Sequence, residues 1–171
     1  DGIEETRNVI KEEFRIVVPM FPFEQIQGDS TLAWIATACS IGVGFDINQN
    51  KYIDFRPLSR TNLTTVDKIK ASKLINGDFY VDGKYQFVND IYEITPTVRN
   101  RRNGNVINER TFTGSDLFSL FDSISLHLRS AVGLNPGQIA ESIDLDCKEW
   151  MTSNFDASKE IGLYFVDRKE E

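Results

Sequence analysis

The chain has 171 residues, and its 26 acidic residues outnumber its 19 Lys and Arg residues, which gives a formal net charge of −7. This length suits one domain with one sizeable core. The acidic balance argues against a nucleic-acid partner, because phosphate binding requires a basic surface. No stretch approaches the roughly 18 apolar residues of a membrane helix, so we expect no membrane insertion by this segment. Because the chain begins with Asp1 rather than Met, we expect a mature form or an excised piece of a longer protein.

The first elements are a charged helix and a buried strand. Residues 3–14 carry a thin apolar stripe at helical spacing. The continuous apolar run 16–18 is typical of a strand that is buried on both faces. Pro19 and Pro22 lack the amide proton that strand pairing needs, so we expect the strand to end near Met20.

A turn and a second helix follow. Residues 25–30 are typical of a turn, and Ser30 is a suitable N-cap for a helix that begins at Thr31. Gly42 and Gly44 weaken the far end of this helix, where we expect it to fray or bend. The two glycines do not indicate a dinucleotide site, since that site requires a strand before its glycine loop and a helix after it.

Next come an alternating strand and a third helix. Residues 52–58 alternate between apolar and polar side chains, which predicts a half-buried strand. Thr64 or Thr65 would cap a helix that runs through Leu74. One side of this helix carries Val66, Ile69, Lys70 and Leu74.

The second half of the chain predicts an antiparallel meander and further helices. Strands are expected over 79–87, 92–98 and 106–112, with a turn at Asn89 and Asp90 and a hairpin at Asn103-Gly104. An amphipathic helix would start after Ser115 or Asp116 and end at Gly133. Residues 134–151 are irregular, and residues 153–165 predict a last helix.

This element order, α-β-α-β-α-β-β-β-α with a C-terminal helix, predicts an α/β (α+β) domain. We expect a mixed sheet of about five strands with helices packed on it. The predicted organisation is an N-terminal helix or linker over 1–14, the α/β domain over 15–134, and a connector that leads into a repeat helix over 135–171.

Four stretches carry a resemblance to a known family. Residues 15–23 with Gly28-Asp29 are similar to an opening strand "I-A-V-L-P-F" followed by "S-G-D", although Met20 and Phe21 are additional here. Residues 73–83 are similar to "L-G-A-D-Y-V-L-E-G-S", and residues 104–110 to "T-G-E-V-L-W". Residues 152–157 are similar to "T-S-N-L-E-A", which opens a repeat helix. The chain therefore resembles the TolB-like amino-terminal domain family, which is found ahead of tetratricopeptide repeats in bacterial regulatory and envelope proteins.

The resemblance implies a non-catalytic interaction or sensory domain of a larger bacterial envelope or regulatory protein. It implies a periplasmic or otherwise extracytoplasmic location, with any membrane anchor outside this chain, and a protein partner. It supplies no catalytic residue and no cofactor. An exposed apolar face on the last helix would also allow a homodimer to form.

Five arginines are the candidate contacts for a ligand or partner. Arg56 and Arg60 follow the second predicted strand, near the carboxyl edge of the parallel pair, where open α/β sheets often bind ligands. Arg99, Arg101 and Arg102 form a basic cluster at the predicted hairpin. Such a cluster either binds an anion or an acidic partner or is simply solvated.

An alternative class is a small-molecule-binding domain or a hydrolase. Gly28-Asp29-Ser30 resembles the nucleophile motif of a lipase and esterase group, whose chemistry needs a histidine that is oriented by an aspartate. Those enzymes place Asp-x-x-His near the chain end, whereas the single histidine here, His127, follows Asp122 at another spacing. We therefore expect no enzyme, and we keep Ser30 and His127 as the residues of the alternative.

The remaining metal and redox candidates point to structural roles. Cys39 and Cys147 match no metal spacing, so we expect two small core residues, with a disulfide as the alternative. Asp144, Asp146 and Glu149 lack the glycine and the regular spacing of a calcium loop. We therefore expect no metal site.

Overall fold

The structure is a computed structural model, which describes residues 15–141 and Cys147. The predicted helices over 3–14 and 153–165 lie outside the described residues, as do the acidic residues near 144–149 and the homodimer through the last helix. Within the described part, seven strands form one mixed sheet, and four α-helices pack with it. This confirms the predicted α+β class.

The strands are β1 (Ile16–Met20), β2 (Glu24–Gln27), β3 (Ile53–Pro57), β4 (Phe79–Val88), β5 (Ile91–Asn100), β6 (Val106–Glu109) and β7 (Phe112–Gly114). Their order is β3-β1-β4-β5-β6, while β2 also pairs with β4 and β7 also pairs with β5. Strands β1 and β3 are parallel, and β4 and β5 are antiparallel along their whole length. The first half of the chain thus contributes the parallel part of the sheet, and the second half contributes the meander, as predicted.

Two differences raise the number of strands from the predicted five or so to seven. Residues expected to form a turn form β2, which continues alongside β4 after β1 stops pairing with it at Met20. The last predicted strand is divided into β6 and β7, and both halves pair with β5. The turn between β4 and β5 is as predicted, since Asn89 and Asp90 both have positive φ, 52° and 61°. Two consecutive positive φ values are typical of the tight turns that join antiparallel strands.

The helices are α1 (Ile35–Ile47), α2 (Thr65–Leu74), α3 (Leu117–Ala131) and α4 (Pro136–Ala140). Helices α1 and α3 cover one face of the sheet and enclose the core, whereas the core cluster contains no residue of α2. The largest fully buried apolar side chains of this core include Trp34, Tyr85, Phe121, Met20, Ile35, Ile47, Ile53, Ile94 and Ile124. Helix α2 lies on the opposite face, because its Lys68 bonds Asp82 of β4 while the adjacent Val81 belongs to the core.

Helix α1 differs from its prediction at both ends. Asp29 rather than Ser30 is the N-cap, and its carboxylate accepts a hydrogen bond from the Thr31 amide at 2.9 Å. A short 3-10 turn follows, and the α-helix begins only at Ile35. The helix then continues through Gly42 and Gly44 to Ile47 instead of fraying there.

Helix α2 starts as predicted but turns the opposite side inward. Thr64 and Asp67 form a capping box, in which each side chain bonds the other residue's backbone amide. Val66 and Leu74, which the sequence pattern directs toward the sheet, are exposed, whereas Lys68 and Ser72 are buried. The side that carries Val66 and Leu74 therefore does not pack on the sheet, because the sheet face that α2 covers is polar.

The C-terminal part of the described chain is more regular than predicted. Residues after Leu134 form α4, whose Asn135 and Gln138 make a second capping box. The Asn50 side chain donates a hydrogen bond to the Gln138 carbonyl at 2.9 Å, which attaches α4 to the end of α1. The assignment of residues 135–171 as a connector remains a prediction.

The segment that contains α1 corrects the expectation that no stretch of the chain approaches the apolar length of a membrane helix. Ser30–Ile47 has a mean hydropathy of 1.3 and by length and composition alone could cross a membrane. However, 61% of it is buried inside the domain. Packing between α3 and the sheet therefore accounts for its composition.

The two cysteines lie in the core. Cys39 and Cys147 both belong to the core cluster, and no disulfide joins them. Burial raises the pKa of each thiol above its ordinary value. This agrees with the expectation of two small core residues.

Candidate functional site

The most concentrated charge in the described structure lies where α2 covers the sheet. Lys68 Nζ donates to Asp82 Oδ2 at 2.8 Å and to Glu24 Oε1 at 3.2 Å. Arg99 Nε donates to the other carboxylate oxygen of Asp82 at 2.9 Å. We call these four residues, Glu24, Lys68, Asp82 and Arg99, the ionic cluster.

Local rules of chain geometry bring the cluster together. Val81 faces the core, so its neighbour Asp82 must face α2. Asp82 pairs with Thr97 across the antiparallel ladder, and the side chain two residues further along β5, Arg99, is its diagonal neighbour on the same face. The capping box sets the start of α2 and so brings Lys68 above Asp82.

The cluster supplies fixed charge rather than proton transfer. Lys68 and Asp82 are only 8% and 7% exposed. Burial acts to lower the pKa of Lys68, but hydrogen bonds and attraction from Asp82 and Glu24 outweigh burial and raise it. The pKa of Arg99 is raised in the same way, against the effect of its own burial. Both cations therefore keep their charge at neutral pH.

Two adjoining cavities flank the cluster. The first, of about 420 Å³, lies at the carboxyl ends of β1 and β3, and we call it the strand-end cavity. Its lining comprises Pro22, Phe23, Glu24, Gln25, Ala33, Ala36, Arg60, Thr61, Asn62, Leu63, Lys68 and Tyr85. The second, of about 370 Å³, lies over β4 and β5 beneath the start of α2, and we call it the sheet-face cavity. Its lining includes Lys68, Asp82, Lys84, Thr97, Arg99 and Glu109.

The structure places the predicted arginines in different surroundings. Arg60 lines the strand-end cavity and Arg99 lines the sheet-face cavity, two cavities that share Glu24, Leu63 and Lys68 in their linings. Arg56 instead pairs with Asp54 of its own strand, at 2.7 Å. Arg101 is 3.7 Å from Asp78, and Arg102 is exposed at the hairpin.

Sequence reasoning missed Lys68 and Asp82, the centre of the cluster. Lys68 escapes notice because the pattern of α2 directs its apolar residues toward the sheet. One signal is present in the sequence. Asp82 alternates with Val81 and Tyr85 in β4 and so faces away from the core, toward whatever covers the other side of the sheet.

The residues of the hydrolase alternative do not form a catalytic pair. Ser30 Oγ donates to Asp29 Oδ1 at 3.3 Å. His127 Nε2 lies 2.7 Å from Asn108 Oδ1, and its ring packs edge-on against Phe112. Each side chain has another partner, so His127 does not activate Ser30 in this arrangement.

Among the described residues, no group of three or more His, Cys, Asp or Glu side chains could hold a metal ion. Two acidic side chains of the cavity linings, Glu24 and Asp82, are instead engaged by Lys68, and Glu109 accepts a hydrogen bond from the Thr97 hydroxyl.

His127 makes stability depend on pH. Burial, and next the Arg110 charge, lower the pKa of His127 below its ordinary value of 6.5. The unfolded chain therefore binds more protons than the folded one as pH falls below this value, and the folded state loses stability. We expect His127→Gln to reduce this loss between pH 7 and pH 5. Urea unfolding at several pH values would measure it, and an unchanged pH dependence would contradict the assignment.

Comparisons with known proteins support the fold alone. No family model matches the chain, and no curated protein matches it. A point variant of PelC from Paraburkholderia phytofirmans, a dodecamer, is similar in structure at a TM-score of 0.52 and 13% identity, over 71% of this chain and 90% of that chain.

Two further structures are similar at lower scores. TolB from Acinetobacter baumannii has a TM-score of 0.48 at 12% identity, over 70% of this chain and 28% of that chain. Lipoprotein GNA1162 from Neisseria meningitidis has a TM-score of 0.46 at 12% identity, over 75% of this chain and 99% of that chain. A TolB structure is thus among the similar ones, but none of them supports a link to tetratricopeptide repeats. These comparisons therefore show that the chain shares a fold with PelC.

Proposed function

We propose that this chain is a non-catalytic protein-interaction domain of a larger extracytoplasmic envelope protein, and that it binds a protein partner through edge strand β6. The observation that carries the proposal is the exposure of two adjacent apolar residues, Val106 and Ile107, on that strand. The resemblance to TolB-like domains supports the envelope setting. The dodecamer of PelC is an example of a protein of this fold that forms protein–protein contacts.

Strand β6 has the features of a pairing edge. It ends the strand order β3-β1-β4-β5-β6, so no strand within residues 15–141 pairs with its outer side. Edge strands are usually protected by charges or by bulges, because unpaired backbone groups invite pairing with another chain. Strand β6 has a register shift against β5 at Ile107, but its charges, Glu109 and Arg110, come only where it ends. Val106 and Ile107 at its start are apolar and exposed.

A photocrosslinking amino acid at position 107 would test the proposal in the cells that produce the protein. Val66 on α2 is a matched control, since it is 58% exposed and Ile107 is 54% exposed. We expect discrete protein adducts from position 107 in the envelope fraction, and none from position 66. Mass spectrometry of the adducts would distinguish a second copy of this chain from another protein.

Adducts of equal yield at both positions would mean that exposure alone explains them. The absence of adducts at position 107 would overturn the use of β6. As a further check, Ile107→Lys would place a charge on the edge, and adducts from a crosslinker at position 106 should then be lost. Retention of those adducts would also contradict the proposal.

A further inference from the structure

The strand-end cavity lies beside a second open edge of the sheet. Strand β2 takes the place of β1 beside β4 after Met20. The strand on the other side of that place, β3, ends at Pro57. Within the described part of the chain, no strand pairs with this side of β2. The cavity is lined by Glu24 and Gln25 of β2 and by residues Arg60 to Leu63 of the loop after β3.

The loop side of the cavity carries an uncommitted positive charge. Arg60 is exposed and makes no ion pair or hydrogen bond with any residue in the described ranges. Lys68 also lines the cavity, and its contacts with Glu24 and Asp82 use two of the three protons of its ammonium group. The lining therefore retains cationic donors, while its one carboxylate, Glu24, is already bonded to Lys68.

The rest of the lining is suited to a polypeptide. Phe23, Ala33, Ala36 and Leu63 offer apolar surface for side chains. The volume of about 420 Å³ falls within the range of ligand sites, roughly 300 to 1,000 Å³. An extended peptide that adds to a sheet edge gains main-chain hydrogen bonds, and its alternate side chains reach into pockets.

We infer that the strand-end cavity binds a short acidic peptide in extended form, which pairs with β2 and places a carboxylate on Arg60. The occupant is acidic because an anion complements the free cationic donors, and a bidentate Arg–carboxylate pair is among the stronger hydrogen-bonded contacts. The net charge of −7 opposes an acidic ligand at long range, so binding depends on this local contact and weakens with salt.

Glu24 gives the site an internal competitor. Its carboxylate lies 3.2 Å from Lys68 Nζ and its side chain is mostly exposed. An incoming carboxylate near Lys68 is repelled by Glu24 and competes with it for the same ammonium group. Removal of this charge should therefore strengthen binding, whereas removal of the Arg60 charge should weaken it.

Binding of a blocked pentapeptide that alternates valine and glutamate tests the inference. We expect Arg60→Gln to weaken binding about tenfold, the loss of one charge-assisted contact. Glu24→Gln should strengthen binding several-fold, because it removes the carboxylate that competes for Lys68. A variant that merely destabilised the fold would not bind the peptide more tightly. Arg56→Gln is the matched control, because Arg56 is also an exposed arginine near the end of β3 but does not line the cavity. It should leave the affinity unchanged.

Amide shifts in NMR spectra locate the peptide, and those of residues 24–27 should move most. The inference is overturned if the corresponding valine–glutamine peptide binds equally well, if Arg60→Gln has no effect, or if the shifts lie elsewhere. It is also overturned if free glutarate binds as tightly as the peptide, since the cavity would then recognise a carboxylate without a backbone. This site goes beyond the proposed function, and a failure of crosslinking at β6 would leave it standing.

Discussion

Asp82→Asn is expected to lower the free energy of unfolding by about 3 to 5 kcal/mol, as happens when one partner of a buried ion pair is removed. The carboxylate of Asp82 bonds both Lys68 and Arg99. Without it, Lys68 remains almost fully buried and keeps only its 3.2 Å contact with the exposed Glu24. Urea unfolding followed by circular dichroism would measure the change.

Asp54→Asn is the control for this loss. Asp54 also pairs with an arginine, but its partner Arg56 is exposed. Exposed pairs contribute about 0 to 1 kcal/mol, so the control should lose no more than that. Similar losses in the two variants would show that burial of the ionic cluster is not what makes Asp82 important.

Gly44→Ala is expected to destabilise the protein by about 1 to 3 kcal/mol, the usual cost of overpacking a core. A Cβ atom at position 44 would lie 2.1 Å from Cζ of the Phe55 ring, so α1 and β3 could not keep their present distance. The loss should occur even though alanine favours a helix by about 1 kcal/mol relative to glycine. Thermal and urea unfolding would both report it.

A double-mutant cycle with Phe55→Leu isolates this contact. With the ring removed, Gly44→Ala should be neutral or slightly stabilising, because only the helix preference remains. An equal loss in both backgrounds would mean that position 44 rejects a side chain for some other reason. The cycle also tests why α1 continues past its glycines, which the sequence indicates as a weak point.

Features that depend on a few consecutive residues follow from the sequence. The capping box of Thr64 and Asp67, the turn at Asn89 and Asp90, and the amphipathic α3 each depend on side chains within one or two turns of backbone. A continuous apolar run predicts β1, and the alternation of apolar and polar residues predicts β3, β4 and β5. The candidate site is predictable only in part, since the sequence indicates Arg60 and Arg99 but not the adjoining cavities that they line.

Other features depend on surfaces that are distant in sequence, and they are settled only when the chain is folded. The short polar segment β2 is a strand because β4 extends beyond β1 and offers a free edge to pair with. Glycine is needed at position 44 of α1 because the Phe55 ring of β3 fills the space that a side chain there would occupy.

Helix α2 illustrates the same principle most clearly. By its own composition it should bury Val66 and Leu74, yet it buries Lys68. The reason is that the sheet face beneath it carries the Asp82 carboxylate, and a buried charge is stable only when it is paired. Local sequence signals set where this helix begins and ends, because its caps lie within the helix and its flanks. Its partner in the folded domain sets which side faces inward, because that side must neutralise a charge contributed by a distant strand.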